Sequence, residues 1–169
     1  MLKIISKILF FLFISPNILF ASSLHMIGEK GKLSDVNRII EIKMYDNYYE
    51  PNNFNIQKGE TVKFIVHNYG EFVHEFNIAT KKMHIEHQSE MAKMVENQIL
   101  LPDKIDKKKM KELAKTDHAM SHSHDNSILL EPNKSGELIW KFNTNTMLEA
   151  ACNIPGHYES GMIAKINKS

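Results

Sequence analysis

The stretch "ACNIPGHYESGM", residues 151–162, holds the only cysteine of the chain, with a histidine five positions on and a methionine five beyond that. Cys152, His157 and Met162 therefore come from one short loop near the C-terminus. A thiolate, an imidazole and a thioether make a soft donor set. A trigonal His2Cys site with a long axial Met holds copper for electron transfer. Structural zinc sites use four strong donors instead, usually with several Cys. The loop supplies one histidine, so the second must come from elsewhere. "NYGEFVHEFNI", residues 68–78, offers His74, which follows a turn at Asn68-Tyr69-Gly70 and stands between Phe72 and Phe76 on an alternating pattern. In a sandwich, the start of such a strand can sit beside the loop joining the last two strands. For Cys152 taken alone, three readings stay open: a buried inert thiol, an intermolecular disulfide, or a thiolate held by metal.

The sequence around these motifs reads as short strands. "NRIIEIKMYDN" puts Ile40, Ile42 and Met44 on one face. "TVKFIVHN" alternates, with Val62, Phe64 and Val66 inward and Lys63, Ile65 and His67 outward. His67 matches no motif and reads as an ordinary surface histidine. Turns fall at Pro51-Asn52-Asn53 and Lys58-Gly59. "FVHEFNIA" is a strand. Further on come "NSILLEP", the turn "NKSGE", and "ELIWKFN" with Leu138, Trp140 and Phe142 on one face. "MLEAAC" and "MIAKIN" flank the ligand loop as two more strands. Short strands punctuated by Gly, Pro and Asn turns indicate an all-β sandwich. Residues 24–34 read as an exposed leader.

Residues 80–126 break the rhythm. They are charged, free of Gly and rich in Met, His and Lys. "KKMHIEHQSEMAKMVENQIL" reads as a helix and "PDKIDKKKMKELAK" as a second one after Pro102, so this is a partly helical insertion between two strands. His84, His87, Met91 and Met94 recur at steps of three, four and three, on one helical face. His118, Met120, His122 and His124 alternate in a polar segment read as mobile. Two readings of the insert stay open. Met83, His84, His87, Met91, Met94, His118, Met120, His122 and His124 could bind additional copper, since imidazole and thioether both suit it. Equally, the helix could pack its methionines on the sandwich as gap-fillers. Lys104, Lys107, Lys108, Lys109 and Lys111 read as a solvated face or as a docking site for an acidic partner.

The chain has 169 residues, enough for one domain with a core. Its first 23 residues pair two lysines, Lys3 and Lys7, with the apolar run "ILFFLFISPNILFA" and the small residues "ASS". This is the pattern of a cleaved signal peptide. The run is shorter than the ~20 residues a membrane helix needs, and Pro16 interrupts it. The expected organisation is a signal peptide over 1–23 and one domain over 24–169, exported to the periplasm, with no stable membrane insertion after cleavage. Formal net charge is +1 with His neutral, which gives no electrostatic case for a nucleic-acid partner.

Taken together, "HNYGEFVHEFNI" and "AACNIPGHYESGM", with "IQKGETVKFIVHN" and "LEPNKSGELIWKFN" before them, resemble the cupredoxins, the plastocyanin–azurin family of blue-copper proteins. The resemblance covers roughly residues 36–79 and 127–168. Its specific element is a C-x4-H-x4-M loop with an upstream N-x5-H. It implies a Greek-key β-sandwich in which His74, Cys152, His157 and Met162 ligate one type 1 copper. It also implies that Asn68 braces the ligand loop near the Cys. The long Met/His-rich insert departs from small electron carriers and is similar to inserts of periplasmic cupredoxins associated with copper tolerance.

Two functions follow from the same ligands. One is a copper-binding protein of copper tolerance, its partners the copper ion and a periplasmic copper-handling protein. The other is a one-electron carrier between periplasmic redox partners, with His157 as the electron exit. The ligand count argues against three kinds of copper enzyme, and no enzyme activity is expected. A trinuclear centre needs paired His-Cys-His clusters, a binuclear oxidase centre needs two bridging Cys, and nitrite reduction needs a second catalytic copper in a second domain.

Overall fold

The structure, a computed structural model, describes residues 26–169. The expected signal peptide, 1–23, lies outside them. Two five-stranded sheets face each other. The first has the order β1 (Glu29–Lys30), β8 (Ser135–Lys141), β5 (Thr61–Asn68), β2 (Arg38–Tyr45), β3 (Tyr48–Glu50). The second has the order β4 (Asn53–Ile56), β10 (Ile163–Lys168), β9 (Leu148–Ala151), β6 (His74–Ala79), β7 (Ser127–Leu130). The pairs β2–β5 and β4–β10 are parallel and the others antiparallel. This is the all-β sandwich the sequence pattern implies, with the Greek-key topology that the resemblance implies.

Alternation sets the inner faces. Ile42, Met44, Val62, Phe64, Val66, Leu138, Trp140 and Phe142 are all buried in one apolar core, with Ile40 packed partly buried against it. Phe64 is its hub, with its ring against those of Phe54, Phe76 and Phe142. Burying such side chains supplies the main driving force for closing two sheets on each other.

The N-terminal segment is not the exposed leader its composition suggests. Ile27 is fully buried, its carbonyl accepts a hydrogen bond from Trp140 Nε1 at 3.1 Å, and Glu29–Lys30 add a short strand to β8. Only a distant strand gives it this role, which its local sequence does not reveal. Likewise the turn-rich stretch after Tyr45 forms the two short strands β3 and β4.

The insertion joins β6 to β7, which are antiparallel neighbours. It carries helix α1 (Lys81–Glu96), helix α2 (Lys107–Leu113) and a 3-10 turn at His118–Ser121. Each start is capped as its sequence allows: Thr80 Oγ1 accepts from the Met83 amide and Asp106 from the Lys109 amide. The insertion has its own apolar cluster, in which Met91, Met94, Ile99, Leu100 and Met120 are buried with Val73. Its presence explains why all six residues of β6 are buried. One face of that strand meets the core and the other is roofed by the insertion. Among the described residues no helix is long and apolar enough to cross a membrane.

Truncating Phe64 to Ala removes the hub of the sandwich core. A loss of about 3–5 kcal/mol in unfolding free energy is expected. Urea denaturation of wild type and variant measures it, as a lower midpoint with an unchanged slope.

Candidate metal centre

The two ligand segments meet because β6 and β9 are paired, with Asn77 opposite Ala151 and Ile78 opposite Ala150. Cys152, the residue after β9, thus arrives beside the start of β6, where His74 sits. The sulfur of Cys152 accepts a hydrogen bond from the Glu75 amide at 3.3 Å. From there the chain makes a compact turn. His157 donates its amide to Ile154 O, Ser160 to Gly156 O, and the Met162 amide to His157 O. Gly156 and Gly161 take φ of +88° and +92°, the left-handed region that glycine enters without steric cost. The loop closes where the Cys152 amide meets Met162 O at 3.2 Å.

The turn brings the donors together. His74 Nδ1 and His157 Nδ1 are 3.2 Å apart, and His157 Nδ1 is 3.4 Å from Cys152 Sγ. One ligand atom from each of the three residues lies within 4.8 Å of the others. Donors about 2.0–2.3 Å from one ion stand roughly 3–4 Å from each other. The three therefore fit a single metal of the size of copper or zinc. Met162 is fully buried at the end of the same loop and shares the core cluster with Cys152.

Electrostatics keep the histidines in the ligating form. Burial lowers the pKa of His74, against the opposing pull of Asp46. Burial, and then the proximity of His74, lowers that of His157. Burial pushes the Cys152 thiol up to about 12, opposed by the Glu75 amide. A thiol this reluctant to ionise in an apolar pocket is inert unless a cation replaces its proton.

Two residues not among the expected site residues, Asp46 and Glu75, complete the surroundings. Asp46, in the turn between β2 and β3, accepts from His74 Nε2 at 2.8 Å and also receives the amides of Glu71 and Phe72. It fixes the ring so that Nδ1 points at Cys152 and His157, the usual task of a partner behind a ligating histidine. Gly70 leaves room for this pair, since a methyl there would stand 2.7 Å from His74 Nε2 and closer still to Asp46 Oδ1. Glu75 is the second. It is fully buried on the outer face of β6 and takes Asn153 Nδ2 at 2.7 Å and the Asn153 amide at 3.1 Å on Oε2. A carboxylate between His74 and Phe76 in the strand "FVHEFNIA" was the available signal, because a buried charge requires partners.

Other expectations change. Asn68 is buried, but its side chain donates to Phe72 O and Leu130 O and accepts from the Gly70 amide. It braces the loop before His74 rather than the Cys loop, because its position at the end of β5 faces residues 69–73. Phe72 is exposed, not inward, since the strand begins only at His74. His67 is a partly exposed residue bonded to Ser135 Oγ, in line with its surface reading.

The insert residues divide. Met91, Met94 and Met120 are core of the insertion, and Met83 packs partly buried against the main core. Thioethers facing each other in an apolar cluster act there as fillers. His84 is buried, with Nδ1 on Asn153 Oδ1 at 3.1 Å and Nε2 on Glu149 O at 3.3 Å. His118 is exposed. His87, His122 and His124 come together around Glu75 and Glu90. The segment read as mobile is instead folded, through the 3-10 turn that Asp117 caps. Burial opposes charge on Glu75, but hydrogen bonds from His122 and His87 hold its carboxyl well below the usual range. Burial likewise opposes charge on His87, yet Glu75 and Glu90 push it up to about 10.

A sequence model of the cupredoxin-like domain matches residues 11–113. A Pseudomonas aeruginosa protein named copper-resistant cuproprotein CopI is 41% identical over 153 residues, spanning 82% of this chain and 80% of its own length. The chain belongs to the cupredoxin-like family. A second cuproprotein of the same name, from Rubrivivax gelatinosus, is 29% identical over 140 residues, spanning 82% of this chain and 71% of its own. Among solved structures, auracyanin B superposes with a TM-score of 0.58 at 12% identity, covering 84% of this chain and 96% of its own. Dithionite-reduced auracyanin from Roseiflexus castenholzii gives 0.54 at 16%, covering 78% and 96%. At these identities the likeness is one of fold.

Replacing Asp46 with Ala frees the His74 ring. Metal affinity at the His74–Cys152–His157 centre is expected to fall about 10- to 100-fold. Competition with a chelator of known affinity measures this, and an unchanged affinity would remove Asp46 from the orienting role.

Proposed function

We propose that this cupredoxin binds copper at a mononuclear type 1 centre and serves copper tolerance in the periplasm. The observation that carries the reading is the convergence of His74 Nδ1, His157 Nδ1 and Cys152 Sγ at the mouth of a closed sandwich. Two relatives named for copper resistance support the physiological part. His74, Cys152 and His157 are the three strong ligands, and Met162 is the weak axial one. Copper held this way would supply one-electron chemistry and a polarisable thiolate bond. The protein's own residues do the rest. Asp46 orients His74, the Glu75 amide supports the sulfur, and the core holds the loop fixed around the donors. The reading is of a binding protein, not an enzyme, and its partners are the copper ion and a periplasmic copper-handling protein.

The one-electron carrier between periplasmic partners is the second reading. His157 borders an apolar groove of about 270 Å³ lined by Phe72, Val95, Leu100, Pro102 and Pro155, with Phe72 exposed at its edge. An apolar surface around a ligating imidazole suits a brief protein encounter.

Copper(II) added to the mature protein is expected to raise an intense thiolate-to-copper absorption that saturates at about one equivalent and is absent in Cys152→Ala. A host carrying Cys152→Ala in place of the native gene is expected to lose growth at raised copper. Growth equal to wild type, with the band lost, would reject the tolerance reading and leave the carrier. Deleting residues 81–125 is the poorer test, because it would strip the roof from Glu75 and Asn77.

A further inference from the structure

Outside the cupredoxin centre, three imidazoles and two carboxylates meet beneath the insertion. His122 Nε2 lies 2.8 Å and His87 Nε2 3.1 Å from the same oxygen, Glu75 Oε1. His124 Nε2 lies 2.9 Å from Glu90 Oε1, and His87 Nδ1 3.5 Å from Glu90 Oε2. The three rings form a near-equilateral triangle, with centroids 5.4, 5.1 and 5.2 Å apart. Ligand atoms of Glu75, His87 and His122 fall within 4.8 Å of one another, and so do those of His87, Glu90 and His124.

We propose that Glu75, His87 and His122 form a second metal site, which takes copper(II), with Glu90, itself held by His124, bracing His87 through its other ring nitrogen. Four features carry it. First, the spacing fits: donors about 2.0–2.2 Å from one ion stand roughly 2.9–3.6 Å apart, as Glu75 Oε1 does from two imidazoles. Second, the cluster holds two carboxylates, whose charge one divalent cation balances once it displaces the proton they draw onto His87. Glu75 is wholly shielded from water, so that balance must come from within the cluster. Its Oε1 is also crowded, receiving Ser127 Oγ at 2.6 Å and Asn77 Nδ2 at 3.1 Å besides both histidines. One ion between the rings would replace two of those four donors. Third, the backbone is bent to present the rings. His122 adopts φ 45°, ψ 42°, a left-handed conformation that a non-glycine residue rarely takes. That turn lets the "HSH" at 122–124 direct both imidazoles at the carboxylates. Fourth, the cluster is reachable. An open cleft of about 400 Å³ is lined by His87, Glu90, His124, Met83 and Asn126.

The donor types decide the oxidation state. Met91, Met94 and Met120 are buried in the insertion's apolar cluster, and the donors that converge on Glu75 are nitrogen and oxygen. Such a set suits Cu(II), which also binds more tightly than the other first-row divalent ions. The site needs nothing from Cys152. The choice of copper over zinc rests on the copper-tolerance reading above.

Copper(II) is titrated into the metal-free mature chain, with metal counted and both absorption and electron paramagnetic resonance recorded. Two equivalents are expected. One accompanies the thiolate band. The other gives an ordinary nitrogen–oxygen Cu(II) resonance without such a band. In a His87→Ala/His122→Ala variant the second equivalent is expected to vanish while the thiolate band stays. In Glu90→Gln and His124→Ala, nearer the cleft, its affinity is expected to fall at least about tenfold. These two carry the test if the double variant does not fold by circular dichroism. A wild type that saturates at one equivalent with the thiolate band intact would overturn the second site and leave the first. So would a second equivalent that survives all these substitutions. A nitrogen–oxygen signal without the thiolate band would do the reverse, keeping the second site and rejecting the type 1 reading. Zinc(II) that Cys152→Ala binds in preference to an equal concentration of copper(II), and that is lost on adding Glu90→Gln, would keep the site and reject the choice of copper.

Discussion

The antiparallel pairing of β6 with β9 is the constraint on which the chemistry depends. It sets Cys152 beside His74 across 77 intervening positions, and it aims the Glu75 amide at the sulfur. One local turn and one contact from the other sheet complete the centre. The 153–162 turn carries His157 back to its own Cys, and Asp46 holds His74 from behind. Side-chain alternation along β6 then divides the strand's duties. His74, Phe76 and Ile78 face inward, where the metal centre caps the core, while Glu75 and Asn77 face the insertion.

Burial explains why the donors behave as they do. Each imidazole of the first centre loses solvent and so stays neutral, with a lone pair to give. The thiol loses solvent too, and holds its proton until something of higher charge displaces it. The rigid surroundings resist rearrangement between metal states because the loop's ends are hydrogen-bonded to each other and its base is core. The second cluster is built on the opposite principle. There, carboxylates dominate and draw charge onto His87.

The fold, and the residues His74, Cys152 and His157 that it brings together, were legible in the sequence because they rest on local signals. Period-two alternation marked Val62, Phe64 and Val66, and the spacing of Cys152, His157 and Met162 marked the loop. Residues whose roles depend on distant partners were not legible. Ile27 is core only because Trp140 lies opposite, and Asp46 touches His74 only because a turn in the other sheet ends there. The helical face through His84, His87, Met91 and Met94 was read correctly as one face, but a helical wheel does not say which neighbour each residue meets. The methionines met apolar side chains and His84 met Asn153. Only His87 met carboxylates, and Glu75, the key to that cluster, lies 12 positions away in a strand of the sandwich.

The insertion interrupts a hairpin. β6 and β7 are sheet neighbours, and in most sandwiches a few residues would join such a pair. Here the Glu75–Ser127 hydrogen bond spans 52 positions. Loop-closure entropy grows only with the logarithm of length, so replacing a four-residue turn by residues 80–126 costs about 2 kcal/mol. The insertion's own apolar cluster can offset that penalty, which makes a long excursion thermodynamically cheap. The kinetic consequence is larger. A pairing that a tight turn would nucleate early becomes a long-range contact. It is then best assembled after the helices have formed and can bring Ser127 back to Glu75.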